Sequence, residues 1–118
     1  MKTRYADILP CTTKDGSEIR EFMHPTLHLN HNQSLAEAMV APGQTTALHR
    51  HHQSEELYHI SAGHGSMALG NEHFEVGPGD TVCIPPGTSH SITNTGAEVL
   101  RILCCCAPPY SHDDTELL

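Results

Sequence analysis

Three imidazoles and one carboxylate stand at spacings that suit a first-row divalent metal. His49 and His51 are one residue apart, Glu56 follows after four more residues, and His90 comes much later. All four sit in a frame of glycines and a proline. Gly43 precedes His49 with five residues between, and Gly63 follows Glu56 after six. Fifteen residues on comes Gly79, then five residues, Pro85-x-Gly87, two residues, His90, three residues and Asn94. Four protein donors leave coordination positions free for water, dioxygen or a chelating substrate. With 11 histidines in 118 residues, a lone His-x-His pair carries little weight, and His51-His52 adds to that background. The weight rests on the joint frame of residue types at fixed gaps.

The elements that position these residues read as β-strands. Side chains at i and i+2 share a strand face, so His49 and His51 project together and Arg50 turns away. Two glutamates compete for the fourth place. Glu56 is in phase with Tyr58 and Ile60, whereas Glu55 is in phase with Leu57, His59 and Ser61. The first set makes the better interior, which selects Glu56 as the ligand and puts the Tyr58 phenol beside it. His90 shares its face with Ile92 and Asn94. On the last apolar run, Leu100, Ile102, Cys104 and Cys106 share one face. An unpaired Arg101 is costly inside, so it is expected outward and Cys104 inward, as a core filler or as a redox-sensitive neighbour of the metal.

Short apolar or alternating runs broken by Gly, Pro, Asn and Asp fill the chain, the pattern of an all-β sandwich or barrel. Lys14-Asp15-Gly16-Ser17 holds an Asp-Gly turn between runs 8–13 and 18–23. Further strands are expected over 35–40, 45–51, 56–61, 66–69, 73–76, 81–84, 89–94 and 99–105. The run 35–40 taken alone also fits a short helix. Pro85-Pro86-Gly87 forces a turn just before His90. The expected division is a hairpin and lead-in strand over 1–33, a barrel domain over 34–108 and a tail over 109–118. The tail follows Pro108 and cannot prolong a central strand; it lies across the barrel mouth or ends loosely.

Six Lys and Arg against 14 Asp and Glu give a formal net charge of −8. That balance argues against nucleic acid and against an anionic membrane surface. No run has the length of a signal peptide or a membrane span. The five cysteines are an odd number, three of them consecutive, a poor disulfide framework. A cytoplasmic, reduced protein is expected. None of the few cations is in phase with the ligand-bearing faces, which disfavours a sugar phosphate as substrate. Arg20 on the first hairpin is the one cation expected to reach the mouth.

From Gly43 to Asn94 the two blocks resemble both signature motifs of the cupin superfamily, here in a small single-domain form. The resemblance implies a single-domain jelly-roll β-barrel of six to eight strands. It also implies one divalent metal (Fe, Mn, Ni or Zn) on His49, His51, Glu56 and His90, and a homodimer. The superfamily supports many reactions on one fold. The expected function is a small metalloenzyme, dioxygenase-like or a lyase or isomerase, acting on a small oxygenated organic compound. Glu56 is the expected base and Tyr58 the orienting phenol. The alternative is a non-catalytic binding or sensing module for a small ligand.

Overall fold

A computed structural model describes all 118 residues. The alternating runs become eleven strands: β1 (Cys11–Thr12), β2 (Glu18–Met23), β3 (Ser34–Val40), β4 (His49–His51), β5 (Glu55–Ala62), β6 (Gly65–Leu69), β7 (Glu72–Val76), β8 (Thr81–Ile84), β9 (His90–Asn94), β10 (Leu100–Ala107) and β11 (Thr115–Leu117). A single 3-10 turn at Tyr5–Asp7 is the one helical element. No helix is long and apolar enough to cross a membrane.

Six strands form one antiparallel sheet in the order β1-β2-β3-β10-β5-β8, and five form the other in the order β11-β4-β9-β6-β7. The two sheets face each other as a jelly roll. Their hydrogen-bond ladders stay separate rather than joining into one continuous barrel wall, and the strand count exceeds the expected six to eight. The surplus is the first hairpin, β1 and β2, whose Asp-Gly turn the sequence signals, together with β11 at the chain's end, which no local pattern specifies.

Alternation places the core. On β5, Glu56, Tyr58 and Ile60 are buried while Glu55, Leu57 and His59 are exposed. On β10, Leu100, Ile102, Cys104 and Cys106 are buried, and Arg101, Leu103 and Cys105 face the other way. The inward residues of both sheets meet in one cluster that includes Ile60, Met67, Ile84, Ile92, Leu100 and Ile102. Arg101 pairs outside with Glu37, 3.2 Å away, and Tyr5 Oη donates to the same carboxylate at 2.8 Å. β3 is thus a strand, its helical alternative excluded by pairing with β2 and β10 on either side.

Two members of the glycine frame have identifiable structural work. Gly63 ends β5 at φ +85°, and a Cβ there would lie 2.8 Å from Leu100 Cα. Only glycine tolerates both conditions. Gly87 N–H donates to the His51 carbonyl at 2.6 Å, tying the Pro85-Pro86-Gly87 turn to β4. Asn94 is a knot: its side-chain amide donates to Val40 O and Glu98 O, at 2.8 and 2.7 Å. Its own carbonyl accepts from Gly43 N–H at 3.1 Å. These links hold the two ligand-bearing segments in one register.

Candidate metal centre

β4 and β9 pair His49 directly with His90 across the five-stranded sheet. The facing sheet supplies Glu56 from β5. The three imidazoles and the carboxylate therefore come from both walls and meet inside. His49, His51, Glu56 and His90 are all buried, with His90 at 0% exposure. The donor atoms of the three histidines lie within 4.8 Å of one another. Glu56 Oε1 lies 3.2 Å from His51 Nε2 and 3.6 Å from His90 Nε2.

Each ring is held from behind. His49 Nδ1 is 2.7 Å from the Ala47 carbonyl, and His90 Nδ1 is 3.0 Å from the Thr88 carbonyl. A carbonyl only accepts, so both nitrogens carry the proton and donate. His51 Nδ1 meets the Thr115 hydroxyl at 2.9 Å. That hydroxyl already donates to Ser111 O, so it accepts from His51. All three Nε2 lone pairs are left facing the centre, the arrangement in which outer partners orient metal-binding histidines.

Two of the buried atoms without a hydrogen-bond partner belong to this site, Glu56 Oε1 and His90 Nε2, and they face each other. Leaving them unpaired is costly. A cation between them satisfies both, so the donor set fits a divalent metal. Burial pushes the Glu56 carboxyl up, but in the metal-free site, where Nε2 of His51 and His90 can take the protons that a metal would displace, these imidazoles outweigh burial and hold it down at about 2. Burial, with His90 next to it, lowers the proton affinity of His49. Both effects favour the ligand forms, a carboxylate and a neutral ring.

The chamber in front of the rings has a volume of about 30 Å³, room for one or two waters. Tyr58 lines it, its ring 6.0 Å from that of His90 in an edge-on contact. Burial and the adjacent Glu56 push the phenol's pKa well up, so it keeps its proton.

Four further residues join this site that the motif spacing does not single out. Asp15, at the tip of the first hairpin, reaches in until Oδ2 lies 3.8 Å from His49 Nε2. Its other oxygen accepts from Thr13 Oγ1, Ser17 N–H and Ser17 Oγ. Thr115 and Tyr110 come from the last ten residues, which add β11 to the edge of β4. The Tyr110 ring stands edge-on to His51 at 5.8 Å. Cys106 lies opposite Glu56 in the β5–β10 register, and its thiol donates to Glu56 Oε2 at 3.2 Å. Cys104 lines the chamber wall and packs in the apolar cluster; its thiol donates to Ile102 O and makes no hydrogen bond to Glu56.

Arg20 does not reach the mouth as expected. It points to the outer face, where its guanidinium lies 4.8 Å over the Tyr5 ring and its Nε donates to Ile8 O. Strand alternation turns its neighbour Glu21 inward instead, with Oε1 buried and unpartnered.

The Cupin domain model matches residues 36–106, which span the whole frame. An uncharacterized protein of Methanocaldococcus jannaschii, MJ1618, is 56% identical over 118 residues, covering 100% of this chain and 94% of that protein. The oxalate-binding protein of Thermotoga maritima is 32% identical over 84 residues, 71% of this chain and 65% of its own length. Among solved structures, a Thermotoga maritima protein described as a predicted oxalate decarboxylase superposes with a TM-score of 0.78 at 26% identity, covering 92% of this chain and 99% of that one. With its family match, its relatives and its jelly-roll architecture in agreement, this chain belongs to the cupin family.

Proposed function

We propose that this cupin holds one divalent transition metal through His49, His51, Glu56 and His90, and that it acts as a lyase or isomerase on a small oxygenated organic acid. The observation that carries this reading is the pair of buried, unpartnered atoms, Glu56 Oε1 and His90 Nε2, at the focus of three inward Nε2 groups. The same donors suit Fe, Mn, Ni and Zn, so the ion is set by availability.

Bound there, a divalent ion would serve as a Lewis acid toward an oxygen of the chelating substrate. The chain's own groups supply the rest. Asp15 Oδ2 faces the site with no hydrogen bond of its own, because Oδ1 takes all three from the hairpin. It is positioned to take a proton from a substrate carbon or hydroxyl. The Tyr58 phenol, protonated and buried beside His90, is positioned to donate a hydrogen bond to a substrate oxygen. Glu56 serves as a ligand through Oε1; were it to loosen, it would be a second base. Asp15 is what favours proton-transfer chemistry over a dioxygenase-like reaction, which needs no such base.

The narrow chamber of about 30 Å³ favours the smallest chelating acids, a dicarboxylate among them, which would displace its waters and need the lining side chains to move apart. The relative named as an oxalate-binding protein supports that chemical class, and it also supports the second reading, reversible binding of a small chelating acid without turnover. A homodimer is part of the proposal. It is supported by an apolar row across four strands of the outer face, Leu35, Cys105, Leu57 and Cys83. Leu35 and Leu57 there are 39% and 41% exposed. A cytoplasmic setting is supported by five free thiols.

The test begins with elemental analysis of protein purified without added metal or chelator. One ion per chain is expected, and none in His90→Ala. Metal-loaded protein is then incubated without oxygen with oxalate, malonate, 2-oxo acids and 2-hydroxy acids, followed by NMR. Anaerobic turnover supports the lyase or isomerase. Conversion only with oxygen uptake points to a dioxygenase, and a ligand that raises Tm yet returns unchanged points to a binding module.

A further inference from the structure

We infer that Cys106 is a positioning residue for Glu56, fastening one carboxylate oxygen so that the other alone is presented to the metal. The inference rests on the metal-binding reading above. β10 and β5 are registered so that Cys106 and Glu56 are direct cross-strand partners, both facing inward. The Cys106 side chain is almost fully buried, 2% exposed, and its Sγ lies 3.2 Å from Glu56 Oε2. An ionised carboxylate only accepts, so the thiol is the donor. Meanwhile Oε1 has no hydrogen-bond partner and faces His51 and His90.

The two oxygens of Glu56 thus have different surroundings. Oε2 is turned toward β10, and Oε1 is aimed at the focus of the three rings. A carboxylate held this way coordinates through one oxygen. Freed from the thiol, it could rotate and chelate through both, filling a coordination position that a substrate needs. Cys106 in this role acts through Glu56, its sulfur bonded to Oε2 while Oε1 is the oxygen turned to the rings. The competing account is that Cys106 only fills the core, as buried thiols commonly do. Cys104 on the same face offers a control, because it lines the same chamber but bonds Ile102 O and not Glu56.

The experiment is Co(II) titration of the full chain, read by visible absorption and by competition with a chelating dye. The variants are Cys106→Ala, Cys106→Val, Cys106→Ser and Cys104→Ala. Loss of the donor in Cys106→Ala and Cys106→Val is expected to weaken Co(II) binding by about tenfold or more and to alter the ligand-field bands. Cys106→Ser keeps an O–H donor and is expected to restore both. Cys104→Ala is expected to lower Tm with the Co(II) spectrum unchanged. If Cys106→Ala does not fold, the bulkier Cys106→Val carries the same comparison. Wild-type affinity and spectrum in the apolar variants would overturn the inference and leave the metal reading standing, as would a Cys106→Ser protein no better than Cys106→Ala. Failure of the wild-type protein to take up Co(II) would overturn both.

Discussion

The Thr115 hydroxyl stands 2.9 Å from His51 Nδ1 and donates to the Ser111 carbonyl at 2.8 Å, so the last strand of the chain sets the tautomer of a ring at the centre of the site. β11 is itself held by Arg50, whose Nη2 lies 2.9 Å from Glu116 Oε2, and by Lys14, whose Nζ donates to Thr115 O at 2.7 Å. Loss of the hydroxyl leaves the His51 Nδ1–H buried without an acceptor. Thr115→Ala is expected to weaken metal binding by about tenfold, and Thr115→Ser to leave it near wild type. Isothermal titration with Zn(II) and Mn(II) reads the difference; equal affinities in all three proteins would show that β11 has no hold on the ring.

Removal of the ion is expected to cost stability in proportion to its affinity. Free metal at a hundred times Kd adds about 2.7 kcal/mol. Tm of the wild-type protein should therefore fall on chelation and recover on readdition. His49→Ala should melt at one temperature with and without metal, as followed by circular dichroism.

Acid should destabilise the metal-free protein, and the sign follows from two groups. Glu56 is held at about 2 in the fold against an ordinary 4.5, so the unfolded chain takes up the proton first as pH falls. Its contribution is complete above about 4.5 and lost toward 2. His49 is lowered from 6.5, so the unfolded chain again binds the proton first, beginning near 6.5. Both slopes run the same way: stability declines as pH is lowered. Urea midpoints measured from pH 7.5 to pH 3 should fall throughout, and Glu56→Gln should flatten the lower part of the curve. A midpoint that rises on acidification would contradict the assignment.

Asp15 is expected to separate binding from turnover. Asp15→Asn keeps an oxygen for the Thr13 and Ser17 bonds but removes the carboxylate facing His49. Metal uptake should stay within several-fold of wild type, while turnover of a converted acid should drop by about 10²-fold or more. A kcat unchanged by the substitution would remove Asp15 from the proton path.

Glycines of the frame are not equivalent. Gly63→Ala meets Leu100 Cα at 2.8 Å in addition to its φ of +85°, whereas a Cβ on Gly43, at φ +79°, meets nothing within 4 Å. The Gly43→Ala substitution should cost about 1–2 kcal/mol from backbone conformation alone. Gly63→Ala should cost about 2–4 kcal/mol. Paired urea melts compare the two directly.

Much of this protein is readable along the chain because strands impose a period of two. That period turns Glu56, Tyr58 and Ile60 inward and Glu55 outward, separates Arg101 from Cys104, and lets His49 and His51 point together. Turn chemistry at Gly63 and at Pro85-Pro86-Gly87 marks where strands stop, since positive φ and a fixed proline ring are local demands. The four residues that meet at the centre follow from this parity and from their spacing.

Other partners are set by pairings between segments far apart in the chain, for which no neighbouring residue carries a signal. Asp15 reads as a turn residue, yet the packing of the first hairpin over the site brings it to 3.8 Å from His49. Thr115 becomes the partner of His51 through a ladder joining residues 64 apart. Cys104 and Cys106 share a face and are equivalent by parity; the β5–β10 register alone puts Cys106, and not Cys104, against Glu56. Local periodicity decides which side of a strand a residue occupies, whereas only the closure of the two sheets decides what it meets there.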